Sequence, residues 1–223
     1  MRELDLRNDV YRRPLETALN RLGLGAGWRC ADVGAGGGDV TVALAGLVGP
    51  NGRVYAVDID PSRRDEVAEA AAGAGGAQVV AITQAAEDLV LPEEVDLTYC
   101  RFLLMHVLDP LRVLRRMATV TRPGGWLVAQ EPITSAGRVD GAPLSMPSAR
   151  HPDIGAQLPA LAKRVGFELT DTWAEAQAGA GAGAVARYLE DLTGVDPGDD
   201  AVVLPPLVTV MARRPVLSTL PAE

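Results

Sequence analysis

The sequence predicts an α/β protein built on a mostly parallel sheet with helices over both faces. Short apolar runs alternate with helix-like segments from Arg29 to Gln130, a cluster of glycines interrupts the first run, and an aspartate closes the second. A sheet covered on both faces has strands that read as continuous apolar runs, and parallel neighbours need a helical crossover between them.

Taken in order, Pro14 to Leu22 reads as a helix because Leu15, Ala18, Leu19 and Leu22 recur at three- and four-residue spacing. Gly23 and Gly25 stop it. Arg29 to Val33 is a short strand, broken by Gly34, Gly36, Gly37 and Gly38. A helix over Val40 to Val48 and a Pro50-Asn51-Gly52 turn lead into a second strand, Arg53 to Val57. After Pro61 a polar-faced helix runs to about Ala72, residues 73–76 form a loop, and Ala77 to Ile82 is the third strand. Val95 to Tyr99 is the fourth. A helix from Pro110 to Thr121 shows an apolar face of Leu111, Val113, Leu114 and Met117, and Pro123-Gly124-Gly125 turns the chain into a fifth strand, Trp126 to Gln130.

Beyond Pro132 the pattern thins. Residues 134–152 are rich in Gly, Pro and Ser and read as a long loop. Ile154 to Val165 is a helix closed by Gly166, and Phe167 to Trp173 a strand. Residues 174–184 are almost all Ala and Gly, which argues against fixed order. Leu207 to Ala212 is the last strand. One domain is expected, in three parts: an N-terminal helical segment (1–27), a ligand-binding core (28–132) and a reduced C-terminal part (133–223).

Composition bounds the function. A net charge of −8 argues against nucleic acid and against an anionic membrane as main partner, since both need concentrated Lys and Arg. The charged start, Met1 to Asp9, does not read as a signal peptide and no apolar stretch is long enough to span a bilayer, so the expected location is cytoplasmic. Cys30 and Cys100, with His106 and His151 as the two histidines, imply neither a disulfide framework nor a metal site. Hydrolase, kinase and thiol-redox signatures are missing. Lys163 is the single lysine among many arginines, a bias expected of a GC-rich bacterial genome.

The glycine cluster carries the chemistry. A glycine-rich turn between strand and helix brings a ligand close to backbone N–H groups. Here it reads Asp32-Val33-Gly34-Ala35-Gly36-Gly37-Gly38-Asp39. The dinucleotide pattern needs glycine at position 39, where Asp39 stands, and Asp32 would repel a pyrophosphate. A carboxylate there suits a ligand that carries an ammonium group instead. Asp58, closing the second strand, stands where an acid accepts hydrogen bonds from a ribose diol, and Ile59 beside it offers an apolar surface to a base.

Those residues resemble the class I S-adenosylmethionine-dependent methyltransferases, in particular bacterial small-molecule enzymes. Asp32 to Gly38 is similar to their first motif, Val57-Asp58-Ile59 to the second, and Ala86-Glu87-Asp88-Leu89 to the adenine-contacting loop. Val95 to Arg101 is similar to their fourth strand, Met105 to Pro110 to the helix entry after it, and Arg122 to Trp126 to the turn before strand five. The resemblance spans about residues 28–132 and implies a Rossmann-like seven-stranded sheet whose last strand is antiparallel. It implies S-adenosylmethionine as cofactor, with Gly34, Gly36, Asp58, Ile59, Ala86 and Glu87 lining its site. Asp32, Ala35, Cys100 and Arg101 complete the candidate cofactor set. Many relatives carry Asp where this chain has Ala85, and the part that covers the substrate is short.

Methyl transfer from a sulfonium is an in-line displacement, so alignment and exclusion of water supply much of the rate. A hydroxyl acceptor also needs a base. The candidates are His106 just after strand four, Glu131 at the end of strand five and His151 in the loop beyond. Tyr11 is a candidate to fold over the cofactor. The resulting expectation is methyl transfer to a small molecule in bacterial secondary metabolism, with a homodimer as the expected assembly. The alternative is the same fold serving as a cyclase or isomerase, with the cofactor unreactive or absent.

Overall fold

Strand β1 (Arg29–Val33) lies at the centre of a seven-stranded sheet completed by β2 (Arg53–Asp58), β3 (Gln78–Thr83), β4 (Val95–Arg101), β5 (Thr121–Pro132), β6 (Glu168–Glu175) and β7 (Leu207–Arg213). In this computed structural model, which describes residues 3–72, 76–147 and 149–216, the strand order is β3-β2-β1-β4-β5-β7-β6. Strands β1 to β5 pair in parallel, and β7 runs antiparallel to both β5 and β6. The expected mostly parallel sheet with an antiparallel last strand is therefore present. The loop expected at 73–76 falls, apart from Gly76, outside the described residues.

Two helical layers cover the sheet. On one face α2 (Arg12–Leu22) and α3 (Asp39–Val48) bury Leu15, Leu19, Leu44 and Val48 against Cys30, Val54, Leu97 and Tyr99. On the other face α5 (Pro110–Val120) and α6 (Ile154–Arg164) pack Val113, Met117 and Leu158 against Val33, Val57 and Cys100. Adjacent strand residues point to opposite layers, as a pleated strand requires. Helix α4 (Arg63–Ala72) covers the outer strands through Val67. The chain leaves β1 toward β2 and later returns to the opposite side of β1 as β4. Such a reversal opens a crevice at the carboxyl ends of the two strands.

The largest departures lie outside the core. Strand β5 begins at Thr121 instead of Trp126: Val95 pairs with Thr121 and Leu97 with Trp126, so residues 122–125 bulge out of a longer extended run. The segment before Pro14 holds a helix, α1 (Glu3–Val10), and Ala184–Thr193 forms α7. The loop expected over 134–152 contains a hairpin, Arg138–Val139 with Ala142–Pro143. It turns at Asp140-Gly141, both at positive φ (47° and 81°), as tight hairpins favour.

The Ala/Gly run at 174–184 is ordered, contrary to expectation. Ala178–Gly179 pairs with Val202–Val203, which pairs with the hairpin to give a small four-stranded antiparallel sheet. A side chain at Gly179 would press on Val185 Cβ at 3.1 Å, so the small residues let this edge approach α7. Leu6, Val10, Tyr11, Tyr188, Leu189, Val202, Leu204 and Leu207 form a core of their own. Tyr188 to Leu207 thus join the N-terminal segment in a packed cap. No helix among the described residues is long and apolar enough to cross a membrane.

Candidate functional site

Two clefts meet at the carboxyl ends of β1, β2, β4 and β5. The first, of about 270 Å³, is lined by Gly34, Val57, Asp58, Ile59, Gln84, Ala86, Glu87, Leu103, His106, Val107 and Leu108. Gly34 brings the start of the glycine loop to its wall. Gly34, Gly36 and Gly38 hold φ values of 79°, 53° and 84°, a left-handed backbone that glycine adopts without a Cβ penalty. The N–H groups of Gly34 and Ala35 donate to Val57 O at 2.8 and 3.0 Å, folding the loop back onto β2. Gly36 N–H donates to Asp58 Oδ2 at 2.8 Å, and Asp60 N–H to Oδ1 at 3.0 Å. Each carboxylate oxygen retains acceptor capacity, so Asp58 has room for a diol at the cleft.

The mouth of this cleft is apolar on both sides. Ile59 and Leu108 are 70% and 73% exposed, unusual for large aliphatic side chains beside a concave site. Ala86 to Asp88 form a single 3₁₀ turn, and Glu87 Oε1 accepts the Leu108 N–H at 3.0 Å. Arg112 ties down the same turn by donating to Glu87 O at 2.9 Å.

Four expected cofactor residues stand elsewhere. Asp32 is buried behind the loop, where it accepts the Thr41 hydroxyl at 2.6 Å, and burial pushes its carboxyl up to about 7. It ties β1 to α3 and does not line the cleft. Ala35 turns its methyl into the core against Ala56 and Val67. Cys100 is buried on the α5–α6 side of the sheet, where burial pushes its thiol up and leaves it inert. Arg101 is buried in an ion pair with Asp39 and donates to Tyr11 O at 3.3 Å, so it clamps β4 to α3 and the N-terminal segment.

The second cleft, of about 290 Å³, lies under the cap. It is lined by Arg7, Tyr11, Phe102, Met105, His106, Pro132, Thr134, Met146, Pro147, Tyr188, Leu192 and Pro205. Tyr11 packs edge-on against Phe102 (ring centroids 4.8 Å apart) and Tyr188 (5.9 Å), so it sits in this cavity's wall. His106 lines both clefts. Partial burial lowers its pKa, and the Arg7 guanidinium lowers it further. Arg7, which belongs to no motif in the sequence, stands beside the glycine loop: a Cβ on Gly36 would lie 3.7 Å from its Nη2.

Glu131, expected as a base, has a different position. It is fully buried at the end of β5. There Oε1 accepts the N–H groups of Leu103 and Leu104 at 2.8 and 2.7 Å, and Oε2 that of Met105 at 3.3 Å. Successive backbone N–H groups around one anion form a nest, and here the protein supplies the anion itself. Burial outweighs the three donors and pushes the carboxyl up to about 7. The nest holds Phe102 at φ 53°, strained for a bulky residue, and presents Leu103 to the first cleft and Met105 to the second. Glu131 therefore positions the wall between the clefts and touches neither. His151 pins the same loop, donating its N–H to Met105 O at 3.0 Å; its ring lines neither cleft, and its buried Nε2 has no partner. Among the described residues no group of His, Cys, Asp and Glu is arranged to hold a metal.

Comparison with known proteins is consistent with this geometry. Residues 31–129 match the family model described as a methyltransferase domain. The chain is 33% identical over 134 residues to the ubiquinone/menaquinone biosynthesis C-methyltransferase UbiE of Hahella chejuensis, covering 57% of this chain and 54% of that one. It thus spans about half the length of the curated relative that it matches. Among solved structures, a SAM dependent methyltransferase from Aquifex aeolicus superposes with a TM-score of 0.65 at 17% identity, covering 96% of this chain and 99% of the other. The [4+2]-cyclase SpnF superposes with a TM-score of 0.65 at 20% identity over 92% of this chain and 80% of its own. At these identities the two structures speak for the fold.

Proposed function

From the match of residues 31–129 to a methyltransferase domain, we propose that the chain is a class I S-adenosylmethionine-dependent methyltransferase and transfers a methyl group to a small-molecule acceptor in bacterial secondary metabolism. One observation carries the reading: a cleft that sets the Asp58 carboxylate between apolar walls and a second cavity under the cap share a wall at His106.

The first cleft fits the cofactor by its donor set. Asp58 would take the ribose diol, Ile59 and Leu108 would enclose the adenine, and the Gly34–Gly36 backbone leaves room for the methionine part, with Arg7 beside its carboxylate. The bound cofactor supplies an electrophilic methyl group and leaves as a neutral thioether. The chain's own residues align and shield. Leu103, pressed against Gly34, and His106 form the partition that an acceptor has to face in the second cavity. The reading places the enzyme in the cytoplasm, with a net charge of −8 that disfavours nucleic acid, and as a homodimer.

The test is parallel calorimetric titration with S-adenosylmethionine, S-adenosylhomocysteine and NAD. Micromolar binding of the two adenosyl sulfur ligands and none of NAD is the expected result; absence of both removes the reading. The fold shared with the cyclase SpnF and the methyl of Ala85, where many relatives carry a carboxylate, favour a second reading, the same site serving a rearrangement. Cofactor consumed in step with a methylated product excludes it.

A further inference from the structure

On the reading that an acceptor occupies the cavity under the cap, we propose that Thr134 selects it. The Thr134 hydroxyl donates to a neutral, carbonyl-type oxygen on the part of the acceptor that lies away from the incoming methyl group.

The observation is a buried hydroxyl with no protein partner. Thr134 lines the cavity, is 8% exposed, and its Oγ1 makes no hydrogen bond. Buried polar side-chain atoms are nearly always paired, so one that is not calls for a reason. The usual structural use of such a hydroxyl is to cap a helix. Here the cap position of the 3₁₀ turn Thr134–Ala136 is Ile133, and no side chain caps it. Three other buried side-chain atoms among the described residues lack a partner: Arg7 Nε, Asn8 Oδ1 and His151 Nε2. Asn8 and His151 lie outside this cavity, and Arg7 is engaged through other contacts, among them the Phe102 ring at 5.8 Å. Thr134 already lines the cavity, and rotation about χ1 exchanges the places of its methyl and hydroxyl, which brings the hydroxyl to a guest.

The oxygen follows from the donors around it. Ile133 N–H donates to Pro206 O at 3.0 Å, Thr134 N–H to Pro152 O at 2.9 Å and Ser135 N–H to Asp153 Oδ1 at 2.9 Å. Pro132, Pro147 and Pro205, which also line the cavity, carry no N–H. The backbone donors of this stretch are thus taken or missing, and the Thr134 hydroxyl is the donor left. One uncharged donor satisfies a carbonyl oxygen but is too little for a buried carboxylate. Thr134 lines the second cavity and not the first, whereas His106 lines both. The methyl group arrives from the side of His106, so the oxygen held by Thr134 belongs to another part of the acceptor.

The experiment uses two probes of one shape, acetophenone and α-methylstyrene, which differ by a carbonyl oxygen in place of a methylene carbon. Each is titrated into the protein, with and without saturating S-adenosylhomocysteine, and binding is followed by NMR. The quantity read is the ratio of the two affinities. It should fall by about fivefold in Thr134→Val, one hydrogen bond's worth, and persist in Thr134→Ser, which keeps the hydroxyl. Thr134→Val should also leave Tm unchanged or raise it, because the hydroxyl it removes has no protein partner. Leu192→Trp and Met146→Trp, which fill the cavity, should abolish binding of both probes; circular dichroism checks that each folds. An unchanged ratio in Thr134→Val overturns the proposal, as does an equal loss in Thr134→Ser. So do a lower Tm of the valine variant, a ketone that does not bind, and binding that survives both tryptophans. If S-adenosylhomocysteine does not bind, the cofactor reading beneath the proposal fails, while the ratio measured without it still decides the role of Thr134.

Discussion

Glu131→Gln isolates the self-supplied anion of the loop after β4. An amide oxygen in place of Oε1 keeps the bonds from Leu103 and Leu104, but the amide nitrogen then faces the Met105 N–H, donor against donor. One unsatisfied buried N–H costs about 1–3 kcal/mol. That loss applies at pH 5, where the acid is protonated. At higher pH the wild type pays for ionising a buried acid whose pKa stands at about 7 instead of 4.5. Between those values the folded state holds a proton that the unfolded state has released, so stability falls as pH rises through 7. At about 1.4 kcal/mol per pH unit the fall amounts to about 3 kcal/mol, and glutamine does not share it. Asp32, also pushed up to about 7, titrates in both proteins and cancels in the difference. Urea unfolding followed by circular dichroism at pH 5, 6, 7 and 8 measures both curves. The variant should be less stable than wild type at pH 5 and equal to it or more stable at pH 8. Parallel curves would refute the claim that burial dominates this carboxylate.

Three further substitutions probe the neighbouring elements. Gly34→Ala puts a Cβ 2.9 Å from Leu103 Cδ1 on a residue at φ 79°. It should cost about 1–3 kcal/mol, read as a lower Tm, together with weaker binding of S-adenosylhomocysteine. Asp58→Asn preserves an acceptor for the Gly36 N–H but loses the charge offered to the ribose diol; calorimetry should show affinity down by about tenfold with Tm nearly unchanged. Arg101→Met leaves Asp39 partly buried without its partner and should cost about 3 kcal/mol in urea unfolding. Adding Asp39→Asn should recover part of that loss, because the uncompensated charge is then gone.

The sheet was legible because its signals are local. Arg29–Val33 is an apolar run ended by glycines, and the structure has a strand over those residues. The start of α5 is written in its own residues, since Asp109 accepts the Arg112 N–H at 2.9 Å and Pro110 takes the first helical position, where no N–H is needed. Gly34, Gly36 and Asp58 were readable for the same reason: a turn that needs positive φ next to a strand-ending acid leaves its mark in consecutive residues. The cap leaves no such mark. Helix α7 buries Tyr188 and Leu189 in a core shared with Leu6 and Val10 of the N-terminal segment. Strands of two residues cannot display an alternating pattern, and the glycines that let Ala178–Gly179 approach α7 look like disorder in composition.

The candidate residues that lie away from the clefts do so for one physical reason. Position along a strand places a residue near the sheet edge but does not say which partner claims it. Cys100 and Arg101 both end β4, yet one enters the core beside α5 and the other an ion pair with Asp39. Glu131 is the instructive case. A loop that turns three consecutive N–H groups, those of Leu103, Leu104 and Met105, away from any regular partner must find an acceptor for them, because buried donors left alone are costly. Strand β5 lies next to β4, and the acid at its end is the acceptor within reach. Its charge serves the backbone of the loop, while His106, on the exposed side of that loop, lines both clefts.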